Sequence, residues 1–190
     1  MEFIKQINDY VAESEQDKND KKVILDYIND YKDNILTREN EIAHMTSSGF
    51  ILNKTCDKVL MIHHNIYNTW TWTGGHADGE EDLLITALKE AIEETGVHKI
   101  KPLNNEVSSI DILPVWGHMK NGAYVSAHLH LNTSFILIAD ENAELLLNEE
   151  ETSGVAWISI DDMPQKSNEP FLLEIYFKLI NRAKKELYIA

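Results

Sequence analysis

GGHADGEEDLLITALKEAIEETGV, residues 74–97, carries a helix whose charges run against its own dipole. The spacing predicts a loop followed by a helix from about Glu81 to Thr95, with Gly96 as its stop. Glu90, Glu93 and Glu94 stand at i, i+3 and i+4, so they emerge on one face with Cβ atoms about 5–6 Å apart. Like charges at that spacing repel, and carboxylates in a last turn oppose the negative end of the macrodipole. The C-terminal helix does the opposite and ends with Lys184 and Lys185. A local rule broken at one helix and obeyed at another points to function. Three carboxylates offer oxygen ligands to a hard cation such as Mg²⁺ or Mn²⁺, which would cancel the repulsion. Charge alone also allows a solvated acidic face.

Outward from this helix, GFILN (49–53) and KVLMIHH (58–64) are short apolar runs around the turn-like NKTCD, which predicts a hairpin. VSSIDILPVWGHM (107–119) is mostly extended but interrupted by Pro114, KNG (120–122) is a turn, and AHLHLNTSFILIAD (127–140) is a strand entering a core. VAWISI (155–160) follows the acidic NEEETSG, and EPFLLEIYFKLINRAKKEL (169–187) is amphipathic. Towards the N-terminus, Phe3, Ile7, Tyr10 and Val11 form one apolar stripe; Val23, Ile24, Tyr27, Ile28 and Tyr31 form a second, beyond the charged break EQDKNDKK. These two helices carry no catalytic pattern and would pack on the main domain or form a homodimer surface. The order suits a mixed sheet between helices.

The spacing from Gly75 is more specific. Five residues separate it from Glu81, seven more lead to Lys89, and then come Glu90, Ala91, Ile92, Glu93, Glu94, Thr95, Gly96 and Val97. This resembles the signature of the Nudix hydrolases, G-x5-E-x7-R-E-U-x-E-E-x-G-U with U aliphatic. Lys89 stands in the arginine slot, where it acts as a point charge rather than a planar fork, and Ala91 fills an aliphatic one. The resemblance implies an α+β fold: an α/β/α sandwich with a mixed central sheet over 43–190, preceded by a helical extension at 1–42. It implies metal-dependent hydrolysis of a diphosphate linkage in a nucleoside diphosphate derivative or related pyrophosphate.

By the same resemblance Glu90, Glu93, Glu94 and the carbonyl of Gly74 would hold Mg²⁺ or Mn²⁺. Lys89 joins the catalytic set, while Gly75, Glu81 and Gly96 shape the motif. Family members differ in the general base; here Glu151 is preferred among Glu149, Glu150 and Glu151, which read equally as a solvated loop. His76, directly after the glycines, and Trp72 are candidate substrate contacts. His128 and His130, two apart in a strand, share a face and could meet phosphate, add a metal ligand or line a polar sheet face. His44, His98 and His118 receive no role.

WTWTGGH is also faintly similar to the segment of isopentenyl diphosphate isomerases that carries a catalytic cysteine between Trp and His. Gly74 and Gly75 fill that region and Cys56 lies upstream, which argues against the isomerase. A non-catalytic nucleotide-sensing or partner-binding module is the other alternative; against it, all four signature glutamates are present.

Composition narrows the partners. The formal net charge is −15 with two arginines, Arg38 and Arg182, which disfavours duplex nucleic acid. There is no apolar run of eighteen residues and no secretory signal pattern. The single cysteine excludes a disulfide framework and a cysteine zinc site, so a reducing cytoplasm is expected.

Overall fold

A computed structural model of the protein describes residues 1–65, 68–120, 122–148 and 152–189. Two helices, α1 (Glu2–Asp9) and α2 (Glu15–Tyr31), precede strands β1 (Ala43–Leu52), β2 (Lys58–His64), β3 (Thr69–Thr71) and β4 (Thr73–His76). Helix α3 (Leu83–Thr95) follows, then β5 (Lys101–Pro102), β6 (Ser109–Val115), β7 (His118–Lys120), β8 (Ala123–Val125) and β9 (His128–Ile138). The chain closes with β10 (Thr152–Ser159), the short α4 (Met163–Lys166) and α5 (Pro170–Ile189).

The main sheet is mixed, ordered β10-β2-β1-β9-β5, with β6 extending the β9 edge. β1 and β9 run parallel, while β1 and β2 form the expected antiparallel hairpin. Beyond Ile51 the hairpin partners splay apart. There β3 pairs with β2 and β4 with β1, so the segment bearing the glycines is wedged into the gap. The two faces follow the period-two rule. Ile51, Leu60, Phe135 and Leu137 face one apolar layer with α1, α2 and α3. Phe50, Leu52, Met61 and Ile136 face the other with α5, around Tyr176 and Leu179. This is the α/β/α sandwich expected, and burial on both faces explains why GFILN and KVLMIHH read as continuous apolar runs.

Three boundaries differ from the sequence reading. β1 begins at Ala43 rather than near Gly49, because its polar residues are satisfied inside the sheet. Thr46 and Ser48 hydroxyls both donate to Asn132 Oδ1 at 3.0 Å, and the Ser47 hydroxyl donates to the Leu83 carbonyl at 2.6 Å. Pro114 lies within β6 instead of interrupting it; β6 pairs with β9 alone among the described residues, and an edge strand tolerates the missing N–H. The charged stretch EQDKNDKK is no break, but the first two turns of α2. Ser14 caps it: its hydroxyl accepts from the Asp17 N–H at 3.0 Å while Asp17 accepts from the Ser14 N–H at 3.3 Å.

What holds this polar half of α2 is charge. Asp17 is 1% exposed, and Lys178 of α5 lies 2.9 Å from it and 3.1 Å from the equally buried Asp111 of β6. Arg182 adds a 3.3 Å contact to Asp17 and donates to the Ser108 carbonyl. Burial pushes Asp17 up, but hydrogen bonds from Lys178 and the Glu13 and Ser14 N–H groups outweigh it and hold the carboxyl at about 2. Asp111 is pushed up by burial despite Lys178. Of the apolar stripes of α1 and α2, Phe3, Ile7, Ile24 and Ile28 lie within the core, while Val11, Val23 and Tyr31 are exposed.

A folded pKa below the ordinary 3.8 means that Asp17 contributes stability above that value, and loses it as pH falls towards 2. Asp17→Asn is therefore expected to cost about 3 kcal/mol at neutral pH, since it leaves two cations short of a buried partner. Urea denaturation should show that loss, together with a shallower fall in stability between about pH 4 and 2 than in the wild type.

Candidate active site

Helix α3 is set in place from both ends. Asp82 caps its start, accepting from the Leu84 N–H at 3.0 Å, and Gln6 of α1 binds both Asp82 and the Leu83 N–H. Gly96 ends it with φ 73°, its N–H donating to the Ile92 carbonyl at 2.9 Å. That left-handed turn is what glycine permits at a helix C-terminus. Ala87 and Ala91 are fully buried, so the small residue in the aliphatic slot lets α3 lie close against the sheet.

Close approach brings the carboxylates onto the glycines of β4. Glu94 is 4% exposed and accepts from the Gly74 N–H at 2.9 Å. A Cβ on Gly75 would fall 2.4 Å from Glu90 Cδ and 2.6 Å from its Oε1. Both glycines of β4 thus face signature carboxylates one helical turn apart. A cavity of about 480 Å³ opens beside them, lined by His76, Asp78, Glu81, Thr86, Lys89 and Glu90. A larger one of about 940 Å³, between α1 and α5, has neither Glu90 nor Glu94 in its walls.

A family model described as the NUDIX domain matches residues 43–179. The chain belongs to the Nudix hydrolase family. The solved structures include a NUDIX-family hydrolase from Clostridium perfringens: 21% identity, 73% of this chain and 96% of that one covered, TM-score 0.52. They also include the dihydroneopterin triphosphate pyrophosphohydrolase of E. coli, with 11% identity, coverage of 73% and 95%, and TM-score 0.55. A Xenopus laevis protein named nucleoside diphosphate-linked moiety X motif 6 is 38% identical over 53 residues. That match takes in 27% of this chain and 24% of the Xenopus protein, so the chain spans about a quarter of that relative. The family cleaves pyrophosphate linkages in nucleoside diphosphate derivatives, and its members generally use divalent metals.

Around this candidate site the remaining residues separate. Glu93 is exposed and lies 3.8 Å from Lys89, an i,i+4 pair worth only about 0.3–0.5 kcal/mol. Lys89 is thus turned along the helix surface towards Glu93, at the rim of the cavity it shares with Glu81 and Glu90. Trp72 does not reach the cavity: it is 7% exposed and packs edge-on to Tyr176, ring centroids 5.2 Å apart, in the second core. Glu149, Glu150 and Glu151 lie outside the described residues. Cys56 is buried in the β1–β2 turn, its thiol pushed up by burial, and takes no part in the site.

His76, His128 and His130 do converge, and the structure adds His44 to them. Their available ligand atoms all lie within 4.8 Å of one another. Burial pushes His76 down to about 3 and His130 to about 2, with the charge of Arg38 or of neighbouring rings adding to the effect. His44 is also lowered, chiefly by burial. Burial thus disfavours the charged form of His44, His76 and His130. His44 was beyond sequence reasoning because its neighbours are set by the parallel register, which puts it opposite His130.

The two glycines are expected to fail differently. In Gly75→Ala the flexible Glu90 carboxylate can swing aside, so stability should barely change while Mg²⁺ affinity falls about tenfold or more. In Gly74→Ala the new Cβ meets Ser48 Cα at 3.1 Å and the Ser47 carbonyl oxygen at 3.0 Å. That backbone clash should cost about 1–3 kcal/mol. Thermal melts paired with calorimetric Mg²⁺ titration would separate the two effects.

Proposed function

We propose that this protein is a Mg²⁺- or Mn²⁺-dependent hydrolase that cleaves a diphosphate linkage in a nucleoside diphosphate derivative or a similar small pyrophosphate. The observation that carries it is the seating of Glu90 and Glu94 on Gly75 and Gly74 beside an open cavity. The donor set is all oxygen, as hard divalent cations require. In this reading Glu90 and Glu94 hold the ion, with Glu93 reaching it through water. An extended residue sends its N–H and C=O to the same edge, so the Gly74 carbonyl leaves the strand on the side of its Glu94 contact, in keeping with a ligand role.

A bound divalent ion would polarise phosphoryl oxygens, acidify water and offset leaving-group charge. The protein's own part is positioning. Glu94, buried and tied to the backbone, keeps its carboxylate fixed. Lys89, on the cavity wall, meets the substrate phosphates, and Glu81 and His76 sit in the same wall. Glu151, a few residues before Trp157, is the proposed base that takes the water proton. Small substrates suit a cavity of about 480 Å³. No helix among the described residues is long and apolar enough to cross a membrane, and a cytoplasmic setting fits the single buried thiol.

Phosphate release from nucleoside triphosphates, nucleotide sugars, ADP-ribose and dinucleoside polyphosphates, with Mg²⁺ or Mn²⁺, tests this directly. One class should turn over, and Glu94→Gln should lower kcat by about a hundredfold, roughly 2.7 kcal/mol. Lys89→Ala should raise KM with stability changed by less than about 0.5 kcal/mol. Tight nucleotide binding without turnover of any class would instead make the chain a binding module.

A further inference from the structure

We propose that His44, His76, His128 and His130 form a transition-metal site of the Zn²⁺ class, separate from the carboxylate site and beyond the hydrolytic reading above. The four come from three strands of one sheet: His44 from β1, His76 from β4, and His128 and His130 from β9. Neighbouring ring centroids are 4.9–5.3 Å apart, with His44 close to all three others. His128 Nε2 and His130 Nε2 are 3.2 Å apart, close to the edge of about 3.3 Å that four nitrogens make around Zn²⁺ at its usual bond length.

Tautomers point the same way. His44 Nδ1 lies 2.9 Å from the Asn40 carbonyl and must donate to it, which leaves a lone pair on Nε2. That Nε2 is buried in a side chain 4% exposed, and has no hydrogen-bond partner among the described residues. An unmatched buried acceptor is costly, and a metal ion would satisfy it. His128 repeats the pattern, its Nδ1 donating to the Ser126 carbonyl at 2.8 Å and its Nε2 turned to His130. A backbone carbonyl behind the distal nitrogen is how metal-binding imidazoles are commonly oriented.

Imidazole sets favour Zn²⁺, Cu²⁺ or Ni²⁺ over Mg²⁺, so the two sites differ in ligand chemistry although Gly75 and His76 are adjacent. Arg38 lies near the cluster, but Asp78 binds it in two places, at 2.6 and 2.9 Å, and offsets its charge. Four protein ligands leave no open position, which is the arrangement of a structural ion. It would clip the start of β1 to the end of β4 and the start of β9, where the walls of the hydrolytic cavity begin.

The test is Zn²⁺ binding by the stripped full chain in excess Mg²⁺, read by metal analysis after dialysis and by the visible spectrum of the Co²⁺ form. One Zn²⁺ per chain, a tetrahedral Co²⁺ spectrum and a higher melting temperature with Zn²⁺ are expected. His128→Gln, partly exposed and tolerant of change, should weaken Zn²⁺ by about a hundredfold or more, and His44→Gln likewise. Glu94→Gln should bind Zn²⁺ as the wild type does, so a failed hydrolase reading would leave this result standing. The proposal is overturned by loss of Zn²⁺ in Glu94→Gln, by undiminished binding in folded His128→Gln, or by no retained Zn²⁺ at all.

Discussion

Ten consecutive residues of β1 lie in parallel register with ten of β9, and the placement of both sites follows from that pairing. Parallel strands need a long crossover, and here it contains the wedge of β3 and β4, the glycines and the carboxylates of α3. Every residue of β1 is buried. Phe50, Ile51 and Leu52 sit in the two hydrophobic layers, while Thr46, Ser47 and Ser48 run beside the glycines of β4. Asn132 of β9 links the β1 hydroxyls across the same pairing, so a slip of one residue would break that network as well as the core.

The candidate active-site cleft depends on what is missing from two positions. Carboxylates can stand at the tip of α3 because β4 offers no side chains there, only a Gly74 N–H and the bare Cα of Gly75. The unfavourable charges noticed in the sequence are therefore accommodated by backbone approach. Lys89, in contrast, is a surface residue bound loosely to Glu93. A point charge there can meet a substrate anion, but it does not organise the two inner carboxylates as a planar guanidinium could.

The N-terminal helices also bear on the site, through α3. Gln6 ties α1 to the N-terminus of α3, and buried Asp17 ties α2 to β6 and α5 through Lys178 and Arg182. A buried ion network of this kind is costly to desolvate, and its value lies in fixing one arrangement of the parts. Residues ahead of the family-matched segment thus help to set the helix that carries the signature carboxylates.

Local sequence determined the carboxylate-bearing helix, the glycines before it and its stop, because spacing along one helix and one turn is a short-range property. It also determined the two-faced burial of the central strands and the amphipathic α5. It misread β1 and α2, since both carry polar residues whose partners, Asn132, Leu83 and Lys178, are distant in the chain. Trp72, a candidate contact by its place beside the glycines, is instead packed against Tyr176. Only the tertiary structure decided the histidine cluster. His44 and His130 lie 86 positions apart and meet because a parallel register puts them opposite one another, and no local pattern encodes a register between distant strands.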